Sequence, residues 1–474
     1  MALTVNSANT LTLLNIVNKT AASQSKTLTQ LSTGLRINRG ADDPAGLILL
    51  QSLDAELTAT NAAISNNQKA DAILNVADGA ISEISSLLNE VQSLVNASSS
   101  EAGISAAERA ANQSQIDSAI SSIDRIVNNT SFNGKKLLDG NLAIRTTGVS
   151  SSNISNLRVF SRANSSSNVT VSVNVTNSAT TASASLGSFG TSNTASGAST
   201  VAITGSLGTA TVSIASGSTQ AQVVTAINAA KDQTGVSATA GATDISVNSS
   251  AFGSEEFVSV QVLSGGFING GASISNVTRN VGSDATVLVN GTQAGVDGLD
   301  VNFSANGLSL SFSLTNSLNT GGGTTSFTVQ AQGGATFQLG TEAATQTTIG
   351  INSLASYTLG GGDSGGFLRE LQSGGAADLA TDTAKAVKVI KKSITDVANA
   401  RGRIGGFQKF QVQTSINSLN ANKAGLSAAR SIVGETDFAV ATAELNRQSV
   451  LLNSGISLLG LANQQANQIL ALLG

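Results

Sequence analysis

Residues 438–473 read FAVATAELNRQSVLLNSGISLLGLANQQANQILALL. Phe438, Ala441, Leu445, Gln448, Leu452, Gly455, Leu459, Ala462, Ala466, Ile469 and Leu473 recur at alternating steps of three and four, which places them on one seam of a helix about 50 Å long. The far end of the chain carries a matching seam: Leu14, Val17, Ala21, Gln24, Leu28, Leu31 and Leu35. No helix buries its own seam, so each needs a partner. Three further seams lie inward: Ala70, Leu74, Ala77, Ile81, Ile84, Leu88, Val91 and Val95; Ile116, Ile120, Ile123 and Val127; and Val387, Ile390, Ile394, Val397, Arg401 and Ile404. Together they predict an α+β chain whose termini meet in a long antiparallel helical bundle or coiled coil, with the middle looped out as a β-rich outer domain.

The middle is a different material. Residues 161–334 hold only three Lys or Arg and seven Asp or Glu, and turn residues separate short alternating strands there. Asn290-Gly291 and Asn306-Gly307 are hairpin signals. Ala221, Val224, Ile227 and Ala230 read as one short helix, whereas 164–200, rich in Ser, Thr, Ala and Asn, shows little sign of order. The expected division is 1–33 with 440–474 as a terminal coiled coil, 34–160 with 335–439 as a helical rod with a β-hairpin, and 161–334 as the outer insertion of one or two subdomains.

Composition removes most chemistry. The 474 residues include no Cys, no His and no Trp, so thiolate, imidazole and His-ligated metal chemistry are out of reach. No cofactor is expected. Charged residues are 11% of the chain with a net charge of −4, which offers neither a nucleic-acid footprint nor a basic membrane patch. No apolar run approaches the ~20 residues of a membrane-spanning helix, and a start whose first cation is Lys19 is unlike a cleaved signal peptide. Gly362-Asp363-Ser364-Gly365-Gly366 copies a serine-protease nucleophile motif but has no imidazole base to activate it. The neighbouring carboxylates Glu255 and Glu256 read as solvated surface. In Asp42-Asp43-Pro44 an Asp suits a helix N-cap, and the only Pro of the chain suits the first helical position, so 34–43 reads as a connector between two helices. An enzyme is not expected. Gln- and Asn-rich seams with little charge to block lateral contact point instead to a subunit that polymerises.

Specific motifs carry a family resemblance. Leu31-Ser32-Thr33-Gly34-Leu35-Arg36-Ile37-Asn38 followed by Ala41-Asp42-Asp43-Pro44-Ala45-Gly46-Leu47 resembles the N-terminal signature of bacterial flagellins. Thr130-Ser131-Phe132-Asn133-Gly134-Lys135-Lys136-Leu137-Leu138, Leu426-Ser427-Ala428-Ala429-Arg430, Glu435-Thr436-Asp437-Phe438-Ala439 and Ala462-Asn463-Gln464-Gln465-Ala466-Asn467 are similar to later blocks of that family, in the right order. Residues 199–262 are similar to a module inserted in flagellins and hook-associated proteins. The resemblance implies a filament subunit for swimming motility: a homopolymer in the extracellular flagellum, whose terminal helices line the filament channel. It also implies export unfolded through the flagellar type III channel without a cleaved signal peptide, a chaperone on the C-terminal helices, and contact with cap and hook-associated proteins. A hook–filament junction protein is the alternative within the superfamily, and an adhesive or catalytic insert the alternative outside it. The Ser and Thr of the insert are open to O-glycosylation. Two departures matter: the family's hairpin is displaced to 335–355, and Glu90 stands where many relatives carry an Arg sensed by an innate immune receptor, which implies weak recognition.

Overall fold

The structure, a computed structural model, describes residues 2–98, 104–162, 167–188, 194–242, 244–265, 267–269, 272–273, 277–361 and 365–473. Its helices are α1 (Ala2–Thr33), α2 (Pro44–Ser98), α3 (Ala106–Asn129), α4 (Gln220–Ala229), the single turn α5 (Lys231–Thr234), α6 (Asn316–Gly321), α7 (Thr383–Phe407), α8 (Gln413–Gly434) and α9 (Phe438–Leu473). The chain divides into two compact units, Met1–Asn66 with Ser415–Gly474, and Asn67–Thr414.

In the first unit the two ends of the sequence meet. A Cβ added at Gly455 would lie 2.9 Å from Val17, and one at Gly34 would lie 3.8 Å from Phe438, so α1 and α9 run antiparallel. The start of α2 runs antiparallel to α8 in the same way. Arg430 pairs with Asp54 at 2.5 Å, Leu50 packs over Gly434, and Ala63, Ile64 and Leu419 form a small buried cluster.

In the second unit the expected inner seams are buried: every member of the α2 seam from Ala70 to Val95 and of the α3 seam from Ile116 to Val127 is at most 1% exposed. Asn112 of α3 donates to Ser98 of α2 at 3.0 Å. Along α7, Arg401 pairs with Asp78 at 2.9 Å and Gln408 donates to Asp71 at 2.7 Å, which sets α7 antiparallel to α2. The α7 seam itself is rotated from the expected one. Val389, Ile390, Ser393, Asp396, Val397 and Ile404 are buried, Val387 and Ile394 are half-buried, and Arg401 is exposed. A helix covered by another helix on one side and by a sheet on the other buries a wider arc than a two-helix seam, so a strict 3-4 spacing misplaces part of it. A π-helical turn, Gln408–Val412, follows α7.

The β-rich middle has two apolar cores. Two antiparallel sheets enclose the first. One has strands 292–293, 286–289, 169–177, 323–333 and 144–147; the other has 295–297, 300–305, 308–314, 154–162, 346–349 and 335–338. The hairpin expected at 335–355 is the pair 335–338 and 346–349, with Phe337 and Phe407 ring centroids 5.9 Å apart. Asn290-Gly291 and Asn306-Gly307 both form two-residue turns with every φ positive, as type I′ hairpins require. The second core lies among strands 199–205, 208–214, 236–240, 244–249 and 257–264, with α4 packed on it.

Two sequence expectations change here. The stretch 164–200 contains ordered strands at 169–177 and 183–188, because Val171, Val173 and Val175 alternate into the first core despite the polar composition around them. Helix α4 forms, but Val223 and Ile227 are its buried apolar residues and Ala221 is exposed. Strand 154–162 is paired with 308–314 on one side and 346–349 on the other. Gly362, Asp363 and Ser364 of the protease-like motif lie outside the described residues.

Candidate assembly surface

The α1–α9 pair shows which residues its own partner helix leaves uncovered. On α9 the expected seam residues Ala441, Leu445, Gln448, Leu452, Gly455, Leu459 and Ala462 are buried or half-buried, Phe438 is exposed, and Ala466, Ile469 and Leu473 lie outside the residues whose side chains are described. On α1 the covered face is Leu13, Val17, Thr20, Gln24, Thr27, Leu31 and Gly34. It shares Val17, Gln24 and Leu31 with the expected seam. Leu14 (43% exposed), Leu28 (49%) and Leu35 (38%), together with the exposed Ala21, lie one residue over and form a separate apolar stripe that α9 does not cover.

Thr can take an inner position where Leu was expected because its hydroxyl is satisfied inside its own helix. Thr20 Oγ1 donates to the Ile16 carbonyl at 2.9 Å and Thr27 Oγ1 to the Ser23 carbonyl at 3.1 Å, so each presents mainly a methyl to the partner. The antiparallel register also sets Gln24 opposite Gln448. Gln448 is 6% exposed; its Nε2 donates to Glu444 at 2.9 Å while its Oε1 is buried without a partner. Val440, Val450, Leu451, Ile456, Leu458 and Leu461 are all exposed on α9.

The connector locks the two ends together. Gly34, at φ +71°, ends α1 in the left-handed region that glycine adopts without a Cβ clash. Leu35 then bridges Glu435 in antiparallel fashion: Arg36 N–H donates to the Gly434 carbonyl at 2.8 Å, and Thr436 N–H to the Gly34 carbonyl at 2.9 Å. The Arg36 guanidinium donates twice to the Val433 carbonyl, at 3.1 and 2.8 Å, placing a cation on the C-terminal end of α8 where the helix dipole favours it. The two aspartates have separate tasks. Asp42 accepts the Asn38 and Arg39 amides at 3.1 and 3.0 Å and pairs with Lys26 at 3.3 Å. The Asn38 amide above all holds its carboxyl below the ordinary value, with Arg39 and Lys26 adding to that and burial opposing it. Asp43 caps α2 by accepting from Gly46 N–H at 2.9 Å, and Pro44 is the first helical residue. A side chain at Gly46 would collide with Asp43 and Ile37, at 2.4 and 2.6 Å. Arg36 and Lys26 escaped the sequence reading because their partners lie far along the chain or across a turn.

Glu90 is exposed on α2, while Leu88 and Val91 beside it are buried. Among the described residues no group of His, Cys, Asp and Glu could hold a metal ion, and no helix is long and apolar enough to cross a membrane.

The bacterial flagellin N-terminal helical region matches residues 5–143, the bacterial flagellin C-terminal helical region 387–473, and the flagellin hook IN motif 200–251. A flagellin of Clostridium tyrobutyricum is 26% identical over 453 residues, 95% of this chain and 96% of its own. YvzB of Bacillus subtilis, which carries a flagellin name, is 31% identical over 140 residues, 30% of this chain and 81% of its own. The solved structure of FliC from Burkholderia pseudomallei covers 73% of this chain and 99% of its own at 14% identity, with a TM-score of 0.25, too low to bear on the fold.

Proposed function

The chain belongs to the bacterial flagellin family, whose members build the extracellular flagellar filament, and from that premise we propose which parts of it do so and how. Residues 1–33 and 440–474 form the filament core, 34–160 with 335–439 the rod, and 161–334 the outward-facing insertion. The observation that supports this most directly is the uncovered apolar stripe Leu14, Ala21 and Leu28 on a helix whose other face is already packed, continued by Leu35 in the connector. An apolar stripe at heptad spacing on a helix already partnered is what a second helix, from another copy of the chain, would cover. The covered seam holds the protomer together, and the uncovered stripe joins protomers.

The chain is not an enzyme: it lacks Cys and His, and its paired aspartates are engaged with backbone amides rather than with each other. Subunits leave the cell through the flagellar export channel. A chaperone covers the exposed apolar positions of α9 beforehand, and cap and hook-associated proteins meet the filament at its ends. The insertion carries O-linked glycans. The innate receptor that senses many flagellins is engaged weakly, because Glu90 puts a negative charge at an exposed position where an Arg is expected; activation of receptor-bearing cells as strong as with an Arg-bearing flagellin would refute that.

The assignment is tested by deleting residues 440–474. Filaments should be lost, as seen by negative-stain microscopy after seeding, while circular dichroism of the β-rich middle persists. Intact filaments from the truncated chain would overturn the proposal, and short rings from the full chain would favour a junction protein.

A further inference from the structure

Within the Asn67–Thr414 unit, a cavity of about 100 Å³ opens between α7 and the sheet that contains strand 154–162. Its walls carry three cations, Arg158, Lys392 and Arg403, and two carboxylates, Asp300 and Asp396. Two of the cations are matched: Arg158 pairs with Asp396 at 3.0 Å and Lys392 with Asp300 at 2.6 Å. Arg403 is not. Its guanidinium lies 3.3 Å from the centroid of the Phe160 ring and donates to Ser309 Oγ at 3.2 Å, with no ion pair to a described carboxylate. Burial, and then the charge of Arg158, pull its pKa below the ordinary arginine value, as expected for a cation without an opposite charge beside it. Asn352 also lines the cavity, and its Nδ2 donor is buried with no hydrogen-bond partner.

We propose that this cavity binds a small monovalent anion, such as chloride, that takes the unmatched charge of Arg403 and the free donor of Asn352. The chemistry selects the class. The walls carry an excess of one positive charge, which a monoanion cancels. A dianion would leave an excess negative charge beside Asp300 and Asp396. Water could fill the space, since a water's share of liquid volume is about 30 Å³. It would supply an acceptor to Asn352 but would leave the guanidinium's charge uncompensated in a partly desolvated site. The volume admits a halide with a few waters and excludes a bulky organic anion.

The test uses the full-length chain as soluble monomer. Chloride is compared with gluconate, a monoanion too large for the cavity, at constant ionic strength. Chloride at about ten times its dissociation constant lowers the unfolded fraction of the unit roughly tenfold, a rise in melting temperature of about 2 °C that saturates. The ³⁵Cl resonance should broaden on adding protein and sharpen again when bromide competes. Arg403→Met should abolish the broadening, whereas Arg430→Met, which removes an exposed cation of the other unit, should keep it. If Arg403→Met does not fold, the wild-type line broadening and its competition by bromide still decide the matter. Absence of competable broadening, or an equal and unsaturating response to chloride and gluconate, would show a water-filled cavity and overturn the proposal.

Discussion

Replacing Leu14 and Leu28 together by Ala should weaken assembly while leaving the protomer almost untouched. Both lie on α1 next to the face that packs on α9, and both remain close to half exposed in the protomer. Full burial of a leucine side chain contributes about 2 kcal/mol, so the part still open to a neighbouring subunit accounts for about 1 kcal/mol each. Losing about 2 kcal/mol per added subunit raises the critical concentration for growth roughly 30-fold. Protomer stability should shift by less than about 0.5 kcal/mol, as for exposed substitutions elsewhere. Critical concentration can be read from the unpolymerised protein left after pelleting filaments grown from seeds, and protomer stability from thermal melting. Val17→Ala is the contrasting variant. Val17 faces Gly455 across the covered seam, so it should lower protomer stability directly. A critical concentration for the double variant within twofold of wild type would refute the division of α1 into a covered and an assembling face.

Three further outcomes follow from other sites. Asp396→Ala leaves Arg158 without its 3.0 Å partner in a poorly hydrated site; the expected loss is about 3–5 kcal/mol, a fall of about 4–7 °C in the melting of the unit that contains it. Gln448→Leu removes an amide whose Oε1 is buried without a partner. It should raise the stability of the α1–α9 pair by about 1–2 kcal/mol, visible as slower amide exchange in both helices, while loosening the helix register that a polar layer enforces. Asp42 titrates below its ordinary value of 3.8 in the folded chain. Its contribution is therefore complete above that value and is lost as the pH falls through the lower, folded one. Exchange protection of the Asn38 and Arg39 amides should differ between wild type and Asp42→Asn at pH 5 and converge in strong acid; a difference that persists there would contradict the assignment.

The inner seams of α2 and α3 were legible residue by residue, from Ala70 to Val95 and from Ile116 to Val127, because each lies fully within a helix-packed core and apolar periodicity reports burial there. The type I′ turns at Asn290 and Asn306 were legible for a local reason: only residues that tolerate positive φ fit them. On α1 periodicity was ambiguous. The expected seam and the covered face share Val17, Gln24 and Leu31 and differ by one residue elsewhere, and hydropathy ranks Leu28 above Thr27 although Thr27 is the one covered. Strand 169–177 was hidden in a polar stretch because its order comes from long-range pairing with 286–289 and 323–333.

By itself, then, the sequence determined that this chain has helical ends that require partners, a β-rich middle, and no residues for thiol or imidazole chemistry. Those are properties of composition and local spacing, which survive without knowledge of what lies across space. Only the tertiary structure decided which stripe of α1 faces α9 and which stays open. It likewise decided that Arg36 reaches the Val433 carbonyl and that Arg403 is left without a counter-charge among the described residues. Each depends on residues distant along the chain arriving at one place, and no local pattern records the distance between them.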